Sequence, residues 1–219
     1  VGILDADIYG PSQPRMLGLK GKPDSLDGKT VEPKENYQVQ SMSIGYLIDE
    51  ETPMIWRGPM VTGALEQLLN DTNWRDLDYL VIDLPPGTGD IQLTLCQKIP
   101  VSGALIVTTP QDIALLDAKK ALKMFEKVRV PVLGIVENMS THICSQCGNE
   151  EYIFGRGGGE SMAEQYGIEL LGSLPLDIQI REGVDNGKPT VALDPESVIS
   201  ENYRDIARNV AAKISLQAK

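Results

Sequence analysis

Tyr79-Leu80-Val81-Ile82-Asp83-Leu84-Pro85-Pro86-Gly87-Thr88-Gly89-Asp90 is the stretch on which the reading of this chain turns. An apolar run of strand length delivers one carboxylate, Asp83, to the point where the run stops. Nearly unbroken apolar character, rather than alternation, marks a parallel strand covered on both faces. A carboxylate at the carboxyl end of such a strand can orient the waters around a bound Mg²⁺. The glycines behind it let backbone N–H groups approach a terminal phosphate. An Asp after an apolar strand is common by itself; the Pro-Pro-Gly-Thr-Gly-Asp tail makes the signal specific.

Working outward, the same short apolar runs recur at residues 1–4, 104–108, 132–136 and 169–174. Helical patterns lie between and after them. The clearest starts at Asp112, read as an N-cap, and runs to about 128, with Leu115, Ala118, Leu122 and Phe125 on one stripe and Lys119, Lys120 and Lys123 mostly off it. Others cover roughly 61–69 and 200 to about 215, the last aligning Tyr203, Ile206, Val210 and Ile214. Strand–helix alternation of this kind predicts an α/β fold, an open and mostly parallel sheet with helices on both faces. Residues 20–36, rich in Gly, Pro and charge, read as an exposed loop. No internal repeat or domain boundary stands out, so 1–219 is read as a single domain. The chain opens Val1-Gly2-Ile3-Leu4-Asp5, inside a strand and without Met, and reads as a fragment whose N-terminal element is absent.

Composition narrows the function. Hydrophobic residues make up 42%, enough for a sizeable core. Twenty Lys and Arg against thirty-one Asp and Glu give a net charge of −11, which argues against a uniform basic face for nucleic acid or anionic lipid. No apolar run reaches membrane-spanning length and no signal peptide is seen. Three cysteines do not make a disulfide framework, so a reducing cytoplasm is expected.

In an open α/β sheet, ligands bind beyond the carboxyl ends of the strands. The first strand ends Asp5-Ala6-Asp7-Ile8-Tyr9-Gly10-Pro11-Ser12, two carboxylates that repel unless a cation or donors lie between them. A capping turn is the plainer reading. Asn138, after the 132–136 run, offers an amide able to read a base edge, and Pro175 and Asp177 follow the last strand where they could flank that base. Taken singly, these are ordinary loop residues.

Cys144-Ser145-Gln146-Cys147-Gly148 lies in a polar loop just beyond Asn138. It resembles a metal knuckle, with Gly148 free to take φ > 0 while backbone amides turn toward the thiolates. Two thiolates leave a tetrahedral site half-built. The simplest completion is a second copy across a two-fold axis, giving four thiolates suited to a 4Fe–4S cluster or zinc. An adventitious or redox-active dithiol is the plainer alternative. His142 could ligate zinc but reads more simply as a lone exposed residue, and Cys96 reads as a buried small apolar one.

These segments, with Trp56-Arg57-Gly58-Pro59-Met60, Val136-Glu137-Asn138-Met139-Ser140 and Phe154-Gly155-Arg156-Gly157-Gly158-Gly159, occur in the order found in the Mrp/ApbC family, iron–sulfur carrier P-loop ATPases related to MinD and ParA. The chain resembles that family over essentially its whole length. The resemblance implies a cytoplasmic, homodimeric ATPase that binds ATP and Mg²⁺, carries a labile 4Fe–4S cluster bridging two subunits, and delivers it to apo-proteins, with no nucleic acid or membrane partner. It implies that Asp7 positions the attacking water and that Asp5 and Asp83 are outer-shell Mg²⁺ ligands. Gly87 and Gly89 become a phosphate-sensing loop, Asn138 the adenine reader with Pro175 and Asp177 at the base and ribose edge, and Cys144 and Cys147 the cluster ligands. The family's Gly-rich loop with two lysines precedes the Asp5 strand and is not found here. The expectation is therefore a P-loop NTPase fold lacking its first strand, P-loop and first helix, with little ATP affinity of its own.

Three other readings compete. A MinD/ParA-like positioning ATPase predicts a basic amphipathic tail, but Arg204, Arg208 and Lys213 are offset by Glu201 and Asp205. A non-catalytic dimeric zinc scaffold would use the cysteines alone. A dehydrogenase could use Asp5 on a ribose but has no role for the Pro-Pro-Gly-Thr-Gly-Asp loop.

Overall fold

The computed structural model describes residues 1–48 and 58–217. Trp56 and Arg57 of the motif quoted above lie outside the described residues. The chain divides into two compact units, residues 1–95 with 182–192, and residues 96–181 with 193–219.

The first unit is built on a four-stranded sheet. Its elements are β1 (Gly2–Asp5), the short helix α1 (Gln13–Met16), β2 (Lys34–Asn36), β3 (Val39–Ser43), a 3₁₀ turn (Ile44–Tyr46), α2 (Gly58–Asn70) and β4 (Leu80–Asp83), followed by α3 (Asp90–Lys98), most of which belongs to this unit. The strand order is β2-β3-β1-β4, with β1 parallel to both β3 and β4 and only β2 antiparallel. Leu4, Met42, Val61 and Leu65 are almost fully buried and form much of its core. β2 and β3 were not anticipated, and Lys34–Asn36 turns the end of the expected 20–36 loop into an edge strand. Residues 182–192 return to this unit late in the chain. The Tyr37 hydroxyl donates to the Gly187 carbonyl at 2.8 Å. Gly187 also lies so close to Gly18 that a Cβ on it would stand 2.4 Å from the Gly18 Cα, and both glycines have positive φ.

The second unit centres on β5 (Ala104–Thr108), α4 (Asp112–Lys127), β6 (Val132–Glu137), the antiparallel hairpin β7 (His142–Ile143) and β8 (Glu150–Glu151), α5 (Gly158–Tyr166), β9 (Leu170–Ser173) and α8 (Val198–Gln217); α6 (Ile178–Asp185) starts in it and ends in the first unit, to which most of α7 (Thr190–Leu193) belongs. β5, β6 and β9 form a wholly parallel sheet. Successive residues of a strand face opposite ways. Ile135 of β6 packs with Ala118 and Leu122 of α4 and Met162 and Ala163 of α5, whereas its neighbour Val136 packs with Leu171 and with Ile206 of α8. Helices therefore cover both faces, as the strand–helix alternation predicts.

Two expectations need correction. Asp112 is the first residue inside α4, not its N-cap; Gln111 holds the cap position with extended backbone and no side-chain bond. The Asp112 carboxylate thus acts on the first-turn N–H dipoles. Burial on both faces also fails at two strands. Val81 of β4 is 53% exposed and Val107 of β5 is 58% exposed, so one side-chain row of each strand is left uncovered by the described residues.

Candidate functional site

The parallel register of the first unit brings three strand ends level. Asp5 pairs with Ser43 of β3 on one side and Asp83 of β4 on the other. Asp5 is 0% exposed. Its Oδ2 accepts from the Ser43 hydroxyl at 2.9 Å and the Gln13 N–H at 3.2 Å, and its Oδ1 from the Asp7 N–H at 3.2 Å. Burial pushes the Asp5 carboxyl above its ordinary range, against the pull of these donors and with a smaller upward push from Asp83. A buried charge needs such a shell, and here the shell also fixes the loop 6–12 and the start of α1 to the strand end.

Asp83 is half-buried at the same edge. Its Oδ2 accepts from the Gln13 side-chain amide at 2.7 Å, and no donor among the described residues reaches its other oxygen. Asp7 folds back on its own loop, its Oδ1 accepting from Tyr9 N–H at 3.2 Å and Gly10 N–H at 3.0 Å, with Oδ2 unused by the described residues. After Asp83, Gly87 takes φ 100°, a conformation side chains disfavour. Buried Gln92 donates to the Pro85 and Pro86 carbonyls at 3.2 and 3.0 Å and so pins the loop from below. Gly89 lies in the turn that opens α3, its carbonyl accepting from Leu93 N–H.

Of the predicted phosphate-end residues, the structure thus gathers Asp5 and Asp83 at one sheet edge, with Asp7 and Gly87 in the loops that leave it. Ser43, Gln13 and Gln92 were missed. Gly28-Lys29-Thr30 is a Gly-Lys-Thr tripeptide, but the N–H groups of Lys29 and Thr30 are taken by Asp27 at 2.8 and 2.7 Å, so it makes no phosphate cradle.

The second unit carries the other predicted residues. Asn138 directly follows β6; its N–H donates to the Thr108 carbonyl at 2.7 Å and its side-chain oxygen accepts from Met139 N–H at 2.9 Å, leaving the NH₂ group as a donor. Pro175 and Asp177 line a cavity of about 360 Å³ together with Ile143 and Val198, and Asn138 is not part of that lining. Asp177 also caps α6, accepting from Gln179 N–H at 2.7 Å.

Cys144 to Cys147 form the turn of the β7–β8 hairpin. Gly148 takes φ 72°, and its N–H donates to the Cys144 carbonyl at 2.9 Å, the knuckle conformation expected. The N–H groups of Gln146 and Cys147, then the Cys147 thiol, point at the Cys144 sulfur and hold its thiol below the ordinary range, with nearby His142 adding a smaller pull. Cys147 is exposed and Cys144 partly so. His142 is held by a 3.0 Å contact between Nδ1 and the Leu176 carbonyl. Among the described residues no group of three or more His, Cys, Asp or Glu side chains is placed to hold a metal ion. Cys96 is buried and its thiol is pushed up, as a core residue's would be. Among the described residues no helix is long and apolar enough to cross a membrane.

Comparison with known proteins agrees with this geometry. The chain is 59% identical over 220 residues to a protein of Escherichia coli strain K12 described as an iron–sulfur cluster carrier protein; the match takes in all of this chain and 60% of the relative. A solved nucleotide-binding protein from Archaeoglobus fulgidus in complex with ADP superposes with a TM-score of 0.75 at 38% identity, covering 90% of this chain and 76% of that one. The Pyrococcus furiosus cell division ATPase MinD superposes with a TM-score of 0.66 at 20% identity over 96% of this chain and 85% of that one, a likeness of fold. The model of the ParA-type family described as NUBPL iron-transfer P-loop NTPase matches residues 1–211, and the chain belongs to that family.

Proposed function

We propose that the protein containing this chain is an ATP-binding, ATP-hydrolysing carrier that takes up a 4Fe–4S cluster on Cys144 and Cys147 and hands it to apo-proteins. The observation that carries the reading is the thiol turn. Two cysteines share one exposed hairpin turn, backbone N–H groups stabilise a thiolate at Cys144, and no third ligand stands beside them among the described residues. Two thiolates per chain meet the needs of a four-thiolate cluster when two copies face each other, so the carrier works as a homodimer with the cluster between subunits. Partial exposure suits a cargo that must leave. Work in a reducing cytoplasm follows, since the turn loads only as a dithiol.

The acidic sheet edge fits Mg²⁺ and the phosphates. Asp83 keeps one carboxylate oxygen for a metal-bound water, with Asp5 as its buried support; Asp7 keeps one for the attacking water; Gly87 and Gly89 bring backbone toward the terminal phosphate. Bound Mg²⁺ supplies neutralisation of phosphate charge. Asn138, with its free NH₂, reads the adenine edge, and Pro175 and Asp177 flank the base and ribose. The 219 residues hold no Gly-rich loop with paired lysines, so by themselves they bind ATP weakly.

Anaerobic reconstitution of the whole protein with iron and sulfide tests the carrier reading. The expected product is brown, dimeric and holds about four iron per two chains. A colourless protein with zinc, or a stable monomeric product, would overturn it.

A further inference from the structure

We infer that Gln13 is a positioning residue for the metal end of the site, a role resting on the reading of Asp83 above. Among the described residues, Gln13 is the one that donates to both acidic strand ends. Its backbone N–H donates to the buried Asp5 carboxylate at 3.2 Å and its side-chain amide donates to Asp83 Oδ2 at 2.7 Å. The second bond is short and charge-assisted, the kind that fixes a carboxylate's plane. A carboxylate held through one oxygen presents the other in a set direction, and that oxygen is the one no described donor reaches. The amide thus bridges α1 to β4 in an acidic surrounding: Asp5 lies level with Asp83 in the adjoining strand, and Asp7 follows it by two residues in sequence. In this acidic surrounding a donor at position 13 steadies Asp83, and an acceptor there would repel it. The backbone bond to Asp5 survives any side-chain change, so the two roles of Gln13 separate cleanly.

Gln13 therefore sets how well Asp83 engages a hydrated divalent cation, with little bearing on the fold. The test is the half-saturating Mg²⁺ concentration of the full-length protein, read both by calorimetric titration of Mg²⁺ into the ADP-bound protein without turnover and by ATP turnover at saturating ATP, for the unmutated chain, Gln13→Met and Gln13→Glu. Both replacements keep the length of the side chain. Gln13→Met removes the donor and should raise the half-saturating Mg²⁺ roughly tenfold. Gln13→Glu puts a like charge against Asp83 and should raise it further, although Glu and Gln have the same shape. Melting temperatures serve as the folding control: all three proteins should stay folded at the assay temperature, with the variants lowered by no more than several degrees. A half-saturation within about twofold of the unmutated value in both variants would overturn the role of Gln13. So would equal shifts in the two, since a merely structural residue does not distinguish lost donation from added charge. If the unmutated protein turns over ATP without any divalent metal, the reading of Asp83 falls and this inference with it; metal-dependent turnover that ignores Gln13 removes this inference alone.

Discussion

Removing the Ser43 hydroxyl should be costly out of proportion to its size. The group is fully buried, donates to Asp5 Oδ2 at 2.9 Å, and accepts the Gly45 N–H at 3.0 Å where Ser43 caps the 3₁₀ turn. Ser43→Ala strips a 0% exposed carboxyl group of one of its three donors and leaves a turn N–H without its acceptor. A hydrogen bond to a charged group contributes about 1.5–3 kcal/mol and a cap about 0.5–2 kcal/mol. The expected loss is about 2–5 kcal/mol, or roughly 4–20 °C in melting temperature for a chain of this size. Urea unfolding of the first unit, followed through Trp74, measures it. The loss should also depend on pH. The Asp5 carboxyl is already raised by burial, so its proton-linked contribution is fully present below the ordinary carboxylate value and is lost as pH rises through the raised one. Ser43 favours the charged form, and its removal raises that value again. The penalty is thus larger above the raised Asp5 value, where the carboxyl is ionised, than below the ordinary carboxylate value, where it is protonated. A loss under about 1 kcal/mol at the alkaline end of the folded range, or a loss that grows on acidification, would refute the picture of Asp5 as a buried carboxylate held by donors.

Asp7→Ala in the full-length protein should cut ATP hydrolysis by about a hundredfold or more while cluster reconstitution proceeds, read by phosphate release and by visible absorption. Cys144→Ala and Cys147→Ala should each abolish the cluster absorption, since a pair of such subunits keeps only two of the four thiolates; full reconstitution in either would show that the ligands are misassigned. Gly134→Ala should destabilise the second unit by about 1–3 kcal/mol, because its Cβ would stand 2.5 Å from Leu171 Cγ and 2.7 Å from the Glu169 carbonyl; unchanged denaturation would show that β6 and β9 can part without cost.

The elements legible from the sequence were those whose stability comes from a continuous apolar face. β5 and β6 are unbroken apolar runs, and the α4 stripe of Ala118, Leu122 and Phe125 is buried as its spacing predicts. β3 escaped notice because it buries polar side chains. Ser41 and Ser43 are both 0% exposed, satisfied by the Tyr46 hydroxyl and by Asp5, and no hydrophobic period records such pairs. The same limit applies at the site. Asp5, Asp83 and the cysteine pair announce themselves by charge at strand ends and by spacing. Gln13, Ser43 and Gln92 matter only through strand register and loop closure, which bring residues 70 positions apart, such as Gln13 and Asp83, within 2.7 Å.

The return of residues 182–192 to the first unit bears on how the chain is made. Tyr37 and Gly187 are 150 positions apart, so the seat at Gly18 stays empty while the polypeptide between them is still being synthesised. At about 5–20 residues per second that wait is on the order of ten seconds. A nascent first unit must spend it with its glycine notch uncovered, and can close only after residue 187 has emerged.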